Sequence, residues 1–337
     1  LHHPGHVHIF ARLAREGLVG RRVVLLAKDR PDVLQLLDDM GLAHSSYRDL
    51  RRGKSLFWTV LDLLYSWWRN LGAILAEKPD TVIAVAGVYC GLPAFACGCR
   101  LIVLTDTETA TLSHRLAYPF AHRVLFPDSY DRDLDRAFGW ARGKAIFYRG
   151  TQECAYLLGA AIDVAAPKHD LAGPIYFLRL SAGQAFHESI DRQSATVRRI
   201  VELLARRGRV VISSELPLPA EFAAYAYPFA RAEYHAALAA ADLVITEGAT
   251  TATESAILGT PYIFINRNRY GTIRKSLDAG LGEAVDSLEQ CLTLLERAAG
   301  ALDWKRDGAA RFAEFRRGLE SPLDQLPAIL RTNRKEL

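Results

Sequence analysis

The stretch Glu247-Gly248-Ala249-Thr250-Thr251-Ala252-Thr253-Glu254 gathers residue types suited to holding a phosphorylated ligand. Leu243-Val244-Ile245 ahead of it is a short apolar run of the kind that fills a buried strand, and Gly248 breaks it. Ala252–Leu258 follows as a short helix, ended by Gly259 and barred from continuing by Pro261, and Tyr262–Ile265 is the next strand. The turn of such a unit lies at the carboxyl end of its first strand, where open α/β sheets bind ligands. The helix start offers unpaired N–H groups and a positive dipole end to a phosphate, and Thr250 and Thr251 add hydroxyls. Glu254 has two readings. Thr251-x-x-Glu254 fits a capping box, in which Glu254 folds back on the Thr251 amide. Alternatively, its carboxylate accepts hydrogen bonds from ribose hydroxyls one helical turn from the phosphates.

At these residues the chain resembles the nucleotide-sugar loop of GT-B glycosyltransferases and non-hydrolysing UDP-N-acetylglucosamine 2-epimerases. It resembles still more an archaeal and bacterial GT-B-like family of unknown function. The resemblance implies that the Gly248–Thr251 turn holds a pyrophosphate and Glu254 the ribose. Ala249 departs from it, because relatives usually carry a second Gly there. The expected fold class is α/β, with two doubly wound Rossmann-like domains facing a central cleft. The expected function is transfer of a sugar from a UDP-sugar, UDP-N-acetylglucosamine first, without a catalytic metal or cofactor. A UDP-sugar 2-epimerase and a non-catalytic nucleotide-sugar-binding protein are the alternatives.

Further candidates come from the same resemblance and, for Arg179, Ser181 and Arg274, from their places in the alternation of strands and helices. His3-Pro4-Gly5-His6 matches the family's first turn, where a His follows a Gly at the start of the first helix. In the lipid-acceptor N-acetylglucosaminyltransferase of peptidoglycan synthesis, the matching His is a candidate base. His6 suits that role because its pKa lies near neutrality, whereas the plainer reading is a helix cap. Asp106 and Glu108 follow the strand Leu101–Leu104 and are placed beside the acceptor; helix capping is their alternative. Arg179 and Ser181, at the end of the strand Ile175–Leu180, are candidates for a second phosphate contact, with a plain exposed turn as the alternative. Phe229 and Ala230 match the loop that frames the base in related enzymes; a plain core role is the alternative for Phe229. Arg274 is placed near the donor sugar.

Further bounds come from composition. The chain has 337 residues, half of them hydrophobic, enough for two domains of ordinary size. The expected boundaries are 1–165 and 166–320, with Asp163–Gly173 as linker and 321–337 returning to the first domain as a helix. A net charge of +4 is too weak and dispersed to argue for nucleic acid. Five cysteines, mostly in apolar surroundings, read as buried thiols of a reducing, cytoplasmic compartment. Cys97-Gly98-Cys99 lacks the second ligand pair of a zinc site, and no Asp-x-Asp metal site is evident beside a sugar-binding strand. Asp131-Arg132-Asp133 lies instead in a charged loop after Arg123–Phe126, taken as the last strand of the first domain.

The opening Leu1–His8 is a turn entering a helix that runs to Glu16, so the first strand lies before Leu1 or is very short. Leu56–Glu77 is a long helix whose charges exclude a transmembrane span. It reads as a core helix packed on the sheet. A second reading has Trp67 and Trp68, with the basic Arg51–Lys54 loop, touching the inner membrane face or a lipid-linked acceptor.

Overall fold

The computed structural model describes residues 1–17, 21–50, 55–158, 173–180, 190–214, 218–228, 233–298 and 304–331. The chain forms two compact units, Leu1–Leu158 with Glu320–Leu337, and Gly159–Leu319.

In the first unit the elements are α1 (Pro4–Glu16), β1 (Leu25–Asp29), α2 (Pro31–Asp39), β2 (His44–Arg48), α3 (Leu56–Glu77), β3 (Thr81–Val85), α4 (Gly91–Ala96), β4 (Arg100–Leu104), α5 (Thr111–Ala117), β5 (Arg123–Pro127), β6 (Ala145–Tyr148) and α6 (Cys154–Leu157). Proline at the first turn starts α1 and α2, where its missing N–H costs nothing. The strands form a parallel pair β1-β2 and a parallel sheet β3-β4-β5-β6. β6 corrects the expectation that Arg123–Phe126 closes the domain. Ala145-Ile146-Phe147-Tyr148 is a strand too short and too close to charged residues to stand out by periodicity, and its pairing with β5 defines it. The chain returns at Glu320, whose amide bonds the Arg149 carbonyl at 2.5 Å. Gly150 permits this approach, since a Cβ there would lie 2.4 Å from the Glu320 carbonyl oxygen. α13 (Leu326–Arg331) completes the unit, and Leu326, Ile329 and Leu330 are its buried residues.

The second unit contains β7 (Ile175–Leu180), α7 (Ile190–Ala205), β8 (Arg209–Ser214), α8 (Tyr234–Ala240), β9 (Leu243–Thr246), α9 (Ala249–Leu258), β10 (Tyr262–Ile265), α10 (Gly271–Asp278), β11 (Gly282–Val285), α11 (Leu288–Arg297) and α12 (Trp304–Arg317). Its five strands are all parallel, in the order β8-β7-β9-β10-β11. β9 and β10 are buried throughout, as a parallel sheet covered on both faces requires. Two apolar clusters do the covering. One sets Leu178, Ile212 and Ile245 against Val197, Val201 and Leu292. The other sets Phe177, Val244 and Phe264 against Leu238, Ala252 and Ile273.

α3 corrects a second expectation. Its inward residues are Asp62, Ser66, Asn70 and Ile74. Phe57, Leu61, Leu64, Trp68 and Leu75 recur at helical spacing on the other side and are exposed. The helix therefore turns polar groups to the fold and apolar groups to solvent. Asp62 and Asn70 are satisfied: Asp62 pairs with the buried Lys28 and accepts the Leu50 amide at 3.0 Å. Asn70 Nδ2 donates to the Tyr47 hydroxyl at 3.3 Å and to the Ser66 carbonyl at 2.8 Å. Trp67 is half-buried and spends its indole N–H on the Val88 carbonyl at 2.9 Å, so Trp68 alone of the tryptophan pair faces out. The basic loop Arg51–Lys54 lies outside the described residues, as do most of the expected linker and the tail beyond Arg331. Among the described residues no helix is long and apolar enough to cross a membrane.

Candidate functional site

The second unit's strand order has its direction change between β7 and β9, and in open parallel sheets ligands bind at the carboxyl end of that switch. Arg179 and Thr246 are register partners across this junction, and the Glu247 amide bonds the Arg179 carbonyl at 3.3 Å. The motif picked out from sequence thus sits at the topological switch. α9 begins at Ala249, earlier than its composition suggested, with Gly248 as the N-terminal flanking residue in extended conformation and no side-chain cap. The capping box is thereby overturned. Thr251 lies inside the first turn of the helix and Glu254 in the second, so the two do not stand in cap geometry.

Gly248 has φ −90°, and a Cβ there would meet only Thr246 Oγ1 at 3.6 Å and Thr251 Oγ1 at 3.9 Å, ordinary contacts. The fold itself does not demand glycine here. Its amide is held by Thr246 Oγ1 at 3.0 Å, which fixes the turn. Thr250 is half-exposed at the helix start; Thr251 is buried, with its hydroxyl 3.0 Å from that of Tyr234. Burial is the main cause that lifts the Tyr234 phenol far above its ordinary range, so it stays neutral. Glu254 is buried and its Oε1 lies 3.0 Å from His235 Nε2. Sequence reasoning missed His235. The signal was a histidine in an otherwise apolar helix, Tyr234–Ala240, packed against the helix that carries Glu254. Arg179 is half-buried and donates to Ser213 Oγ at 3.3 Å. Arg274 lies half-buried in the first turn of α10. Ser181, Phe229 and Ala230 lie outside the described residues.

The first unit carries the proposed base candidates. His6 occupies the first turn of α1, but the cap is His3, whose Nδ1 accepts the Gly5 amide at 3.1 Å. Burial holds the His6 pKa well below the ordinary histidine range, and the positive charge potential of His2, the amino terminus, His3 and Arg30 adds to it. His6 is therefore neutral, with a nitrogen open to a proton, but the same surroundings make it a weaker base than an ordinary histidine, which corrects the near-neutral pKa expected from sequence. The His2 ring stacks edge-on against it, with centroids 4.4 Å apart.

Asp106 follows β4, half-buried, and accepts the Thr107 hydroxyl at 3.0 Å. Burial, with Glu108 adding repulsion, raises its carboxyl from 3.8 to about 6. Glu108 does not sit beside it as a second exposed acid. It is fully buried and its Oε1 accepts the Asp131 amide at 3.2 Å, which makes it an anchor for the loop after β5. A buried network that the sequence did not disclose supports this loop. His114 stands 3.2 Å from Thr105 Oγ1 and 3.0 Å from Asp135 Oδ1, and the Tyr118 and Tyr130 hydroxyls donate to Asp135 Oδ2 at 3.2 and 2.8 Å. Burial alone would raise the Asp135 carboxyl, but His114, the Ala137 amide and Tyr130 outweigh it and hold the group below its usual range. Ala86, at the end of β3, has φ 59°, a left-handed conformation costly for a residue with a Cβ and typical of functional sites.

The five cysteines are free, four of them buried. Among the described residues no group of three His, Cys, Asp or Glu is placed to hold a metal ion.

No family profile and no curated protein matches the chain. Solved structures do. The UDP-N-acetylglucosamine 2-epimerase of Neisseria meningitidis, bound to UDP-N-acetylglucosamine, is 11% identical with a TM-score of 0.71, over 98% of this chain and 96% of that one. The glycotransferase of kitacinnamycin is 12% identical with a TM-score of 0.64, over 97% and 95%. The spinosyn rhamnosyltransferase SpnG, complexed with spinosyn aglycone, is 14% identical with a TM-score of 0.58, over 98% of both.

The fold is GT-B. It is shared by 2-epimerases and glycosyltransferases alike, so the likeness does not choose between their chemistries.

Proposed function

We propose that the protein is a GT-B glycosyltransferase that takes its sugar from a UDP-sugar, UDP-N-acetylglucosamine first among candidates. The observation that carries this is the α9 start at the β7/β9 switch: free first-turn amides, an uncapped helix end, and a glycine that the fold does not need but an approaching diphosphate would. Gly248, Ala249, Thr250 and Thr251 hold the diphosphate, Arg179 and Arg274 balance its charge, and Glu254, oriented by His235, takes the ribose hydroxyls.

In the reaction, the acceptor hydroxyl loses its proton to Asp106 or to neutral His6 and attacks the anomeric carbon. The bond from that carbon to the diphosphate oxygen breaks, and the charge growing on the leaving UDP is met by the α9 amides and helix dipole. No metal enters this scheme, and Glu108 is left out because its carboxylate is committed to the Asp131 amide. The exposed apolar side of α3, with Trp68 and Arg69, supports an acceptor presented at a lipid surface on the cytoplasmic side. The Arg69 guanidinium lies 5.7 Å from the Trp68 ring centre.

Incubation with UDP-N-acetylglucosamine alone tests the reading. A transferase leaves the sugar's configuration at C2 unchanged and releases UDP slowly, to water. Accumulation of the 2-epimer without any acceptor would replace the transferase reading with an epimerase one.

A further inference from the structure

Thr105, the residue before Asp106, ends a buried chain of polar groups. Its Oγ1 lies 3.2 Å from Nε2 of His114 on α5, and His114 Nδ1 lies 3.0 Å from Oδ1 of Asp135, in the loop between β5 and β6. The Ala137 amide donates to Asp135 Oδ1 at 2.9 Å, and the Tyr118 and Tyr130 hydroxyls donate to Oδ2 at 3.2 and 2.8 Å. A carboxylate met by donors on both oxygens is ionised. The imidazole nitrogen that faces it is therefore assigned the proton, and Nε2 is left to the Thr105 hydroxyl. The Tyr118 ring stacks on the imidazole, 4.6 Å away and tilted by 13°, and holds its plane.

The order hydroxyl, imidazole, carboxylate is that of a nucleophilic triad. Thr105 is only 2% exposed, however, and His114 and Asp135 are as deeply buried. The hydroxyl is closed to a substrate, so the chain acts through its neighbour. Stability does not account for it either. Tyr118 and Tyr130 belong to an apolar cluster with Val103, Ala117 and Phe126. In such surroundings a buried carboxylate–imidazole pair costs desolvation, and apolar side chains of similar volume are often at least as stable. What the chain does secure is position. The Thr105 amide bonds the Leu125 carbonyl of β5 at 3.2 Å, and the Leu104 carbonyl takes the Ala86 amide at the end of β3 at 2.9 Å. The backbone ahead of Asp106 is thus held from both flanking strands, and the Thr105 side chain from α5.

We propose that Thr105 and His114, backed by Asp135, are positioning residues for Asp106: the chain fixes where its carboxylate stands and sets how firmly it holds a proton. The proposal rests on Asp106 as the base of the proposed transfer. The groups that face Asp106 are the Thr107 hydroxyl, Glu108, His114 and, from β6, the Tyr148 phenol. Those that face His114 are Thr105, Asp106, Tyr118 and Asp135. Burial is the main cause that raises the Asp106 carboxyl. The Thr107 hydroxyl opposes it, Glu108 adds to it, and the nearby imidazole opposes it.

NMR of chains labelled at the aspartate carboxyl carbon follows the Asp106 titration directly, with Asp106→Asn identifying its signal. The natural chain should titrate at about 6. His114→Gln removes the imidazole and is expected to move the midpoint upward. Thr105→Val cuts the chain, lets Asp106 relax toward water and is expected to move the midpoint down toward 3.8, whereas Thr105→Ser keeps the hydroxyl and the natural midpoint. With UDP-N-acetylglucosamine as substrate, kcat for UDP release should fall by about tenfold or more in Thr105→Val, with KM unchanged, and recover in Thr105→Ser. A role confined to folding would lower the melting temperature while both midpoints stay put or move the same way, and either result overturns the inference. If His114→Gln does not fold, equal midpoints in the Val and Ser variants overturn it. The expected midpoints without any turnover of UDP-N-acetylglucosamine would support the coupling and count against the transferase reading instead.

Discussion

Burial lifts the Asp106 carboxyl to about 6, above its ordinary 3.8. Between those values the folded chain keeps a proton that the unfolded chain has released, so the stability this gives is complete below pH 3.8 and lost as pH rises through about 6. At neutral pH the ionised carboxylate is a net cost to the fold. A rise of that size corresponds to about 3 kcal/mol, reduced to about 1–2 by the water the half-buried group still meets. Asp106→Asn should therefore melt several degrees higher than the natural chain at pH 7.5, with the gain gone below pH 4. If Asp106 is the base, the same change should lower turnover by about a hundredfold or more. A melting temperature that falls at neutral pH would show that the carboxylate holds the loop together instead. Individual side chains are where the sequence was least legible. Asp106 and His6 could be named from spacing and resemblance, but the burial of Glu108, the His235–Glu254 pair and the Asp135–His114–Thr105 network bring together residues far apart in the chain. No local pattern carries that information.

Elements were far more legible. β7, β10 and α3 have the bounds that periodicity and breakers indicate, because apolar runs, glycine and proline act locally. The direction in which an amphipathic helix points is a different matter. The apolar stripe of α3 implies core if hydrophobicity alone decides, whereas the structure turns it outward and sets Asp62 inward against the buried Lys28 of β1. An exposed stripe of Phe57, Leu61, Leu64, Trp68 and Leu75 invites a lipid surface, with Arg69 beside Trp68 drawn to anionic headgroups. Sedimentation with vesicles containing anionic lipid should carry the protein down at low salt and less at moderate salt. Phe57→Ser with Trp68→Ser should abolish that binding while leaving the melting temperature nearly unchanged, since both side chains are exposed. Equal sedimentation of the double variant would remove α3 from the interaction.

For the molecule as a whole, the alternation of strands and helices was enough for the fold class, and solved structures at 11–14% identity share that fold. Such likeness leaves the chemistry open, and the proposed chemistry turns on the nucleotide-sugar site at the start of α9. Titration calorimetry with UDP and with uridine, on the natural chain, Glu254→Gln and Thr250→Ala, probes that site. Gln keeps an acceptor for His235 but loses the charge. Hydrogen bonds to a charged group contribute roughly 1.5–3 kcal/mol, so Glu254→Gln should weaken both ligands by about tenfold or more, since both carry the ribose. Thr250→Ala should weaken UDP and spare uridine, which lacks the phosphates. Binding of UDP and uridine that neither substitution alters would refute the assignment, because it would place the nucleotide somewhere other than the β7/β9 switch.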